Sequence, residues 1–265
     1  TPVVELRRQF KQGKQALIDA FLEARPTTTT SSRLLRTLAR HVDDTLRLIW
    51  AESGLPAGAC LAAVGGYGRG ELFPHSDVDV LVLLPDGIDS MQPGPVRDAV
   101  ERFITTCWDV GLEIGSSVRT VPECVTEAAG DVTIQTALLE ARSLTGDARL
   151  FRRLVKRLAE AMDPKAFLRA KTLEAVQRHT KFDDTPYALE PNCKESPGGL
   201  RDLQLLIWLA RAAGLGKTWK ELSQRGLITP FESQQLKRNE GQLTLIRARL
   251  HAVAGRREDR LVFDL

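Results

Sequence analysis

Residues 64–84 read VGGYGRGELFPHSDVDVLVLL, a glycine-dense turn followed by an apolar run that carries two aspartates. In an extended strand residues two apart share a face, so Asp77 and Asp79 project together while Val78, Val80 and Val82 project into the opposite layer. An unpaired carboxylate in such a strand costs several kcal/mol, roughly, unless something positive compensates it. Two carboxylates ~6–7 Å apart on one strand face also repel, and a divalent cation resolves that conflict. Hard oxygen ligands select Mg²⁺ or Mn²⁺, and Mg²⁺ takes one or two protein carboxylates together with phosphate oxygens.

The glycines supply the other half. Gly65, Gly66, Gly68 and Gly70 let backbone N–H groups approach an anion with no Cβ in the way. Arg69 adds positive charge, and the Ser76 hydroxyl is placed to meet a phosphate oxygen. A phosphate-cradling loop followed by Asp-x-Asp describes nucleotidyl transfer, with metal bridging a triphosphate and an attacking hydroxyl. A dinucleotide fingerprint from Gly66 needs Gly or Ala at position 71, where Glu71 stands, and the GK[ST] of a Walker loop is absent. A plain turn before an edge strand accounts for the glycines alone but not for aspartates inside an apolar strand.

Outward from this stretch, Leu6, Phe10, Leu17 and Phe21 at helical spacing predict a helix over 5–24. PTTTTSS, 26–32, reads as a linker, with Ser32 capping a second helix over 33–52. Strands at 60–64, 77–84 and 112–119 and a helix over 95–108 predict an α/β core spanning about 58–120. Beyond it helix signals dominate. Asp131, Asp147 and Asp163 stand at N-cap positions, Thr229 and Glu232 form a capping box, and a helix over 200–213 shows Leu203, Leu206, Ile207 and Ala210 on one face. Leu236, Leu243 and Leu250, with Ile246 and Val253 alongside, read as a packing stripe. The expected division is N-terminal helices over 1–57, an α/β (α+β) nucleotidyltransferase core with a small mixed sheet over 58–145, and an α-helical domain over 146–265 that completes the nucleotide site.

Bulk properties narrow the class. The 265 residues carry 37 Lys and Arg against 34 Asp and Glu, a balance spread along the chain that does not predict nucleic-acid binding. No apolar run approaches the ~20 residues of a membrane span, and the N-terminus has no signal-peptide core. Cys60, Cys107, Cys124 and Cys193 lie far apart with no CxxC pair, as expected of reduced thiols in a cytoplasmic protein. The chain opens without Met and is read as part of something longer.

The run GGYGRGELFPHSDVDVLVLL resembles the signature of the DNA polymerase β-type nucleotidyltransferase superfamily, and its GYGRGEL and SDVD resemble more narrowly the bacterial PII uridylyltransferases. WDVGLEIGSSVRT from Trp108, TALLEARSLTGD from Thr136 and EPNCKESPGGLRDLQ from Glu190 match the same family. The resemblance implies transfer of UMP from UTP to a tyrosine of the signal protein PII, in nitrogen regulation. It implies also a downstream HD domain that removes the nucleotide and ACT domains that sense glutamine, neither of which has a counterpart in these residues. The superfamily carries a third carboxylate on a neighbouring strand. Over 112–119 one face holds Glu113, Gly115, Ser117 and Arg119, so Glu113 is the candidate third ligand, with Asp109 and Glu140 as rivals and a plain surface charge as the alternative. Arg119 either contacts phosphate or balances the acids. Pro-Gly-Gly before a helix, with Lys194 and Arg201 nearby, suits a nucleotide phosphate, and the resemblance adds Asn192 to an active-site wall. Asp202, near the helix start, reads as structural. The rival functions are an adenylyltransferase of glutamine synthetase, a small-molecule nucleotidyltransferase, and a non-catalytic nucleotide sensor.

Overall fold

Four strands, β1 (Cys60–Ala63), β2 (Val78–Leu84), β3 (Ile114–Thr120) and β4 (Arg142–Gly146), form a sheet of order β3-β2-β1-β4 in a computed structural model that describes residues 2–90 and 92–265. β1 runs antiparallel to β2 and to β4, and β2 runs parallel to β3. The sheet is therefore mixed, as the sequence predicts. A parallel pair needs a crossover, here α4 (Pro95–Val110), which starts with Pro in its first turn and stops at Gly111 in the left-handed conformation, φ 95°.

The central strands are buried on both faces, which is why VDVLVLL carries so little polar alternation. Cys60, Ala62, Leu81 and Leu83 pack on one side against α5 (Val121–Gly130) and α7 (Ala148–Ala161), through Val121, Cys124, Ala128, Leu150 and Leu154. The short α6 (Val132–Leu139) adds Leu138 to that layer. Thr120 and Glu123 form a capping box at the start of α5, and Asp131 caps α6 by accepting from Thr133 and Ile134. The four cysteines are free and buried, and burial pushes the thiols of Cys107, Cys124 and Cys193 up to about 12.

The chain divides into two units, Thr1–Ala20 with Leu34–Leu72 and Ser76–Ala161, and Phe21–Arg33 with Phe73–His75 and Met162–Leu265. The first holds the sheet together with most of α1 (Val3–Glu23) and of α2 (Thr28–Ser53). Its end at Ala161 differs from the expected boundary at 145, because α7 belongs to the layer over β1. The second holds α8 (Pro164–Thr180), α9 (Leu200–Ala212), α10 (Trp219–Gln224) and α11 (Pro230–Ala254). Ala210, Trp219 and Leu222 form a core there with Leu203, Ile207, Ile228 and Leu236. Asp163 caps α8, and the Thr229–Glu232 box opens α11. No helix among the described residues is long and apolar enough to cross a membrane.

Four local expectations are corrected. The threonine run is no linker: Thr30 N–H donates to Thr27 Oγ1 at 3.1 Å, so Thr27 rather than Ser32 opens α2. Asp77 lies just outside β2. β4, RSLTG, escapes a search for alternation because it has none. On α9 and α11, Leu206 and Val253 are exposed, while Trp208 is buried.

Candidate active site

The glycine turn is a single helical turn, α3 (Gly65–Gly68), between β1 and the loop to β2. Gly65 has φ +55°, a conformation that favours glycine. The turn is tied to β2 where Val64 N–H donates to Asp79 O at 3.0 Å. Asp79 is the second residue of β2 and half-buried; Asp77 is exposed.

Two glycines border the Asp79 carboxylate, and one of them leaves the room it occupies. A Cβ on Gly65 would stand 3.5 Å from its Oδ2, and a Cβ on Gly115 would fall well inside contact with its Oδ1. Gly115 is opposite Asp79 in the parallel ladder, and paired residues of parallel strands share a face. Only glycine at 115 leaves the carboxylate where it is. Sequence reasoning placed Gly115 on the right face but missed this role, which depends on register between strands 36 residues apart in sequence.

Glu113 immediately precedes β3, is exposed, and accepts the Val78 N–H through its carbonyl at 3.4 Å. The charge facing it comes from Lys14 of α1, whose ammonium is held below the usual lysine range by burial and supported by the Glu113 carboxylate. Among the described residues no three His, Cys, Asp or Glu side chains are gathered closely enough to hold a metal ion. Asp77, Asp79 and Glu113 therefore line one end of the β2–β3 pair without forming a closed cluster. An open set of one or two carboxylate oxygens is what Mg²⁺ with phosphate ligands requires. The residues present fit such an ion.

Of the rival carboxylates, that of Glu140 is engaged elsewhere. Glu140, with a side chain 2% exposed, binds Arg69 Nη1 at 2.6 Å. The carbonyl of Asp109 accepts Arg7 Nε from α1. Arg69, the cation the sequence offers to phosphate, is thus turned onto Glu140. Arg119 stands 3.9 Å from Glu127.

In the second unit the Pro-Gly-Gly loop is closed on itself. Leu200 and Arg201 N–H donate to the carbonyls of Cys193 and Lys194 at 3.0 and 2.8 Å, so these first amides of α9 already have acceptors. This corrects the expectation that they await a phosphate. Asn192 Oδ1 accepts from Lys194 and Glu195 N–H, a loop-forming role. Lys194 and Arg201 both pair with Glu195, at 3.3 and 3.2 Å. Asp202 is structural, as expected, accepting from Gly198 N–H, Arg178 and His179.

A glycine turn hydrogen-bonded to a carboxylate-bearing strand of a small mixed sheet is the frame of a nucleotidyltransferase, and residues 44–122 match the nucleotidyltransferase domain family. Residues 166–265 match the family described as GlnD PII-uridylyltransferase. Over 264 residues the chain is 56% identical to proteins of Burkholderia mallei, Burkholderia thailandensis and Burkholderia pseudomallei named bifunctional uridylyltransferase/uridylyl-removing enzyme, covering 100% of this chain and 30% of each relative. The chain is similar to these uridylyltransferases along its whole length and spans less than a third of the length of the curated relatives it matches.

Proposed function

We propose that this chain carries out divalent-metal-dependent transfer of UMP from UTP to a tyrosine hydroxyl of the PII signal protein. The observation that carries the chemistry is the Asp79 carboxylate beside the glycine turn, in space that a side chain at position 115 would take from it. UTP and PII are supported by the names of the matched family and relatives.

Asp77 and Asp79 would hold Mg²⁺ or Mn²⁺, with the remaining oxygen ligands supplied by the triphosphate and Glu113 outside that set. When bound, the ion supplies Lewis-acid stabilisation of the triphosphate and lowers the pKa of the acceptor hydroxyl. The chain's own residues prepare the rest. Gly65 and Gly66 leave the turn open to phosphate oxygens, and the Ser76 hydroxyl is a further donor beside Asp77.

Incubation with each α-labelled nucleoside triphosphate, Mg²⁺ and purified PII tests the reading. Label should pass to PII from UTP, and not to a PII variant lacking its acceptor tyrosine. Preferential transfer from ATP would instead indicate an adenylyltransferase, and nucleotide binding without divalent metal or turnover would indicate a sensor.

Gly115→Ala separates site geometry from folding. The added methyl meets the far end of the Asp79 side chain, not backbone, so it displaces the carboxylate and leaves the sheet intact. Transfer should fall about 100-fold, with the melting temperature unchanged or slightly raised because alanine replaces glycine in a strand. Activity and melting measured together check this; full activity in Gly115→Ala contradicts the proposed role of Asp79.

A further inference from the structure

The two large side chains of the glycine turn, Tyr67 and Arg69, both point into the protein. Tyr67 is 1% exposed and its hydroxyl donates to Asp43 of α2. Asp43, itself buried, also accepts from Arg142 Nη1 at 2.7 Å and Nη2 at 3.0 Å, a two-pronged pair. Arg142 Nη2 reaches the Tyr67 carbonyl at 3.5 Å, and the guanidinium stands 5.5 Å from the Tyr67 ring centroid. Two residues earlier on the Arg142 segment, Glu140 binds Arg69, and its carbonyl lies where a Cβ on Gly68 would fall.

Burying charges in this way is a poor route to stability, since desolvation offsets most of the attraction and an apolar filling serves as well. Arg142 even keeps its buried Nε without a hydrogen-bond partner among the described residues, a further cost. What the arrangement delivers is orientation. Two ion pairs, each on a buried carboxylate, grip one short turn at Tyr67 and Arg69, the Glu140 carbonyl abuts Gly68 between them, and Gly65 of the same turn lies beside Asp79.

We propose that Asp43, Glu140 and Arg142 are positioning residues for nucleotide binding, a clamp that presets the backbone of Gly65–Gly68, with Tyr67 and Arg69 as its handles. None of the three lies within residues 44–122 that match the nucleotidyltransferase domain; α2 and the α6–β4 segment supply them. The clamp acts before the chemical step, so its loss weakens binding of the triphosphate more than turnover. This inference rests on the transfer reading given above.

Tyr67→Phe is the mildest test, because it removes one hydroxyl and keeps the ring and the Asp43–Arg142 pair. Its KM for UTP, and its affinity for a non-hydrolysable UTP analogue with Mg²⁺ measured by calorimetry, should each weaken about tenfold, with kcat within about twofold. Arg69→Lys, which loses the planar grip on Glu140, should show the same split. Unchanged affinity in both folded variants overturns the clamp, as does a loss of affinity seen only where the melting temperature falls in step. The wild-type chain run beside Asp79→Asn keeps the two readings apart: equal inactivity of those two proteins sinks the transfer assignment, whereas an active wild type with an unaltered Tyr67→Phe sinks the clamp alone.

Discussion

Asp79→Asn is expected to lower nucleotide transfer by about 10³-fold or more while the melting temperature holds level or rises slightly. Asparagine fills the same space between Gly65 and Gly115, so the turn and the β2–β3 ladder persist. What is lost is the anionic oxygen that would hold the metal. Stability does not suffer, because removing one of two neighbouring acids relieves like-charge repulsion. Asp77→Asn should behave alike in activity, and the double variant should show no transfer above background. Steady-state assays with labelled UTP, alongside thermal melts, measure both quantities. A double variant with undiminished activity would remove Asp77 and Asp79 from the mechanism.

The second large effect concerns folding of the helical unit. Asp259, in the C-terminal tail, accepts Arg247 Nε at 2.6 Å and His251 Nε2 at 3.0 Å, and its carbonyl accepts Cys193 N–H at 2.8 Å. The Arg247 side chain is 6% exposed and stacks 4.0 Å from the Phe73 ring centroid. His251, fully buried, takes the His75 N–H on Nδ1 at 3.4 Å, so its proton lies on Nε2, toward Asp259. Asp259→Asn leaves Arg247 buried without a counter-charge and should cost about 3–5 kcal/mol, a fall of roughly 10 °C in melting temperature. Burial raises the Asp259 pKa, but the His251 hydrogen bond and the Arg247 charge outweigh it and hold the carboxyl well below its usual range. A depressed carboxyl pKa stabilises the fold above the unfolded value, near 3.9, and that stability is lost as pH falls toward the folded value. Burial likewise lowers the His251 pKa, so stability also falls as pH drops below about 6.5, where the unfolded chain binds the extra proton. Chemical denaturation followed from pH 7 to pH 3 should therefore show the His251 decline below about pH 6.5 in both proteins, and a further decline below about pH 3.9 that is smaller in Asp259→Asn, which lacks the depressed carboxyl. Equal stability of the two proteins at pH 7 would show the Arg247 pair to be dispensable.

The parts of the fold legible in sequence are those written in neighbouring residues. The cap aspartates at 131 and 163 and the box at Thr229–Glu232 act over two or three positions, and they fall where local chemistry predicts. β2 is legible because burial on both faces demands an unbroken apolar run. β4 is not, since Arg142 and Ser143 serve partners on other elements and leave no period to detect. The candidate site divides in the same way. Asp77, Asp79 and the glycines announce themselves, but the partners of Tyr67 and Arg69 lie 24 and 71 residues away. A reader of GGYGRG naturally hands Arg69 to the phosphates; only the fold discloses that Glu140 holds it. The loop at Asn192–Gly199 misleads for a related reason: a glycine pair before a helix looks open until the carbonyls that already fill it are seen.

The pairing of Asp79 with Gly115 has a consequence for how this protein can fail. Side chains alternate along a strand, so a slip of β2 by one residue would send Asp79 to the far layer and bring a valine to Gly115. Such a molecule could retain much of its helix content and compactness, and gross spectroscopic checks would pass it. It would be inert. The active fraction of a refolded sample, titrated against total folded protein, thus counts the molecules whose strands docked in alignment, and catalysis becomes a proofreading assay for assembly of the sheet.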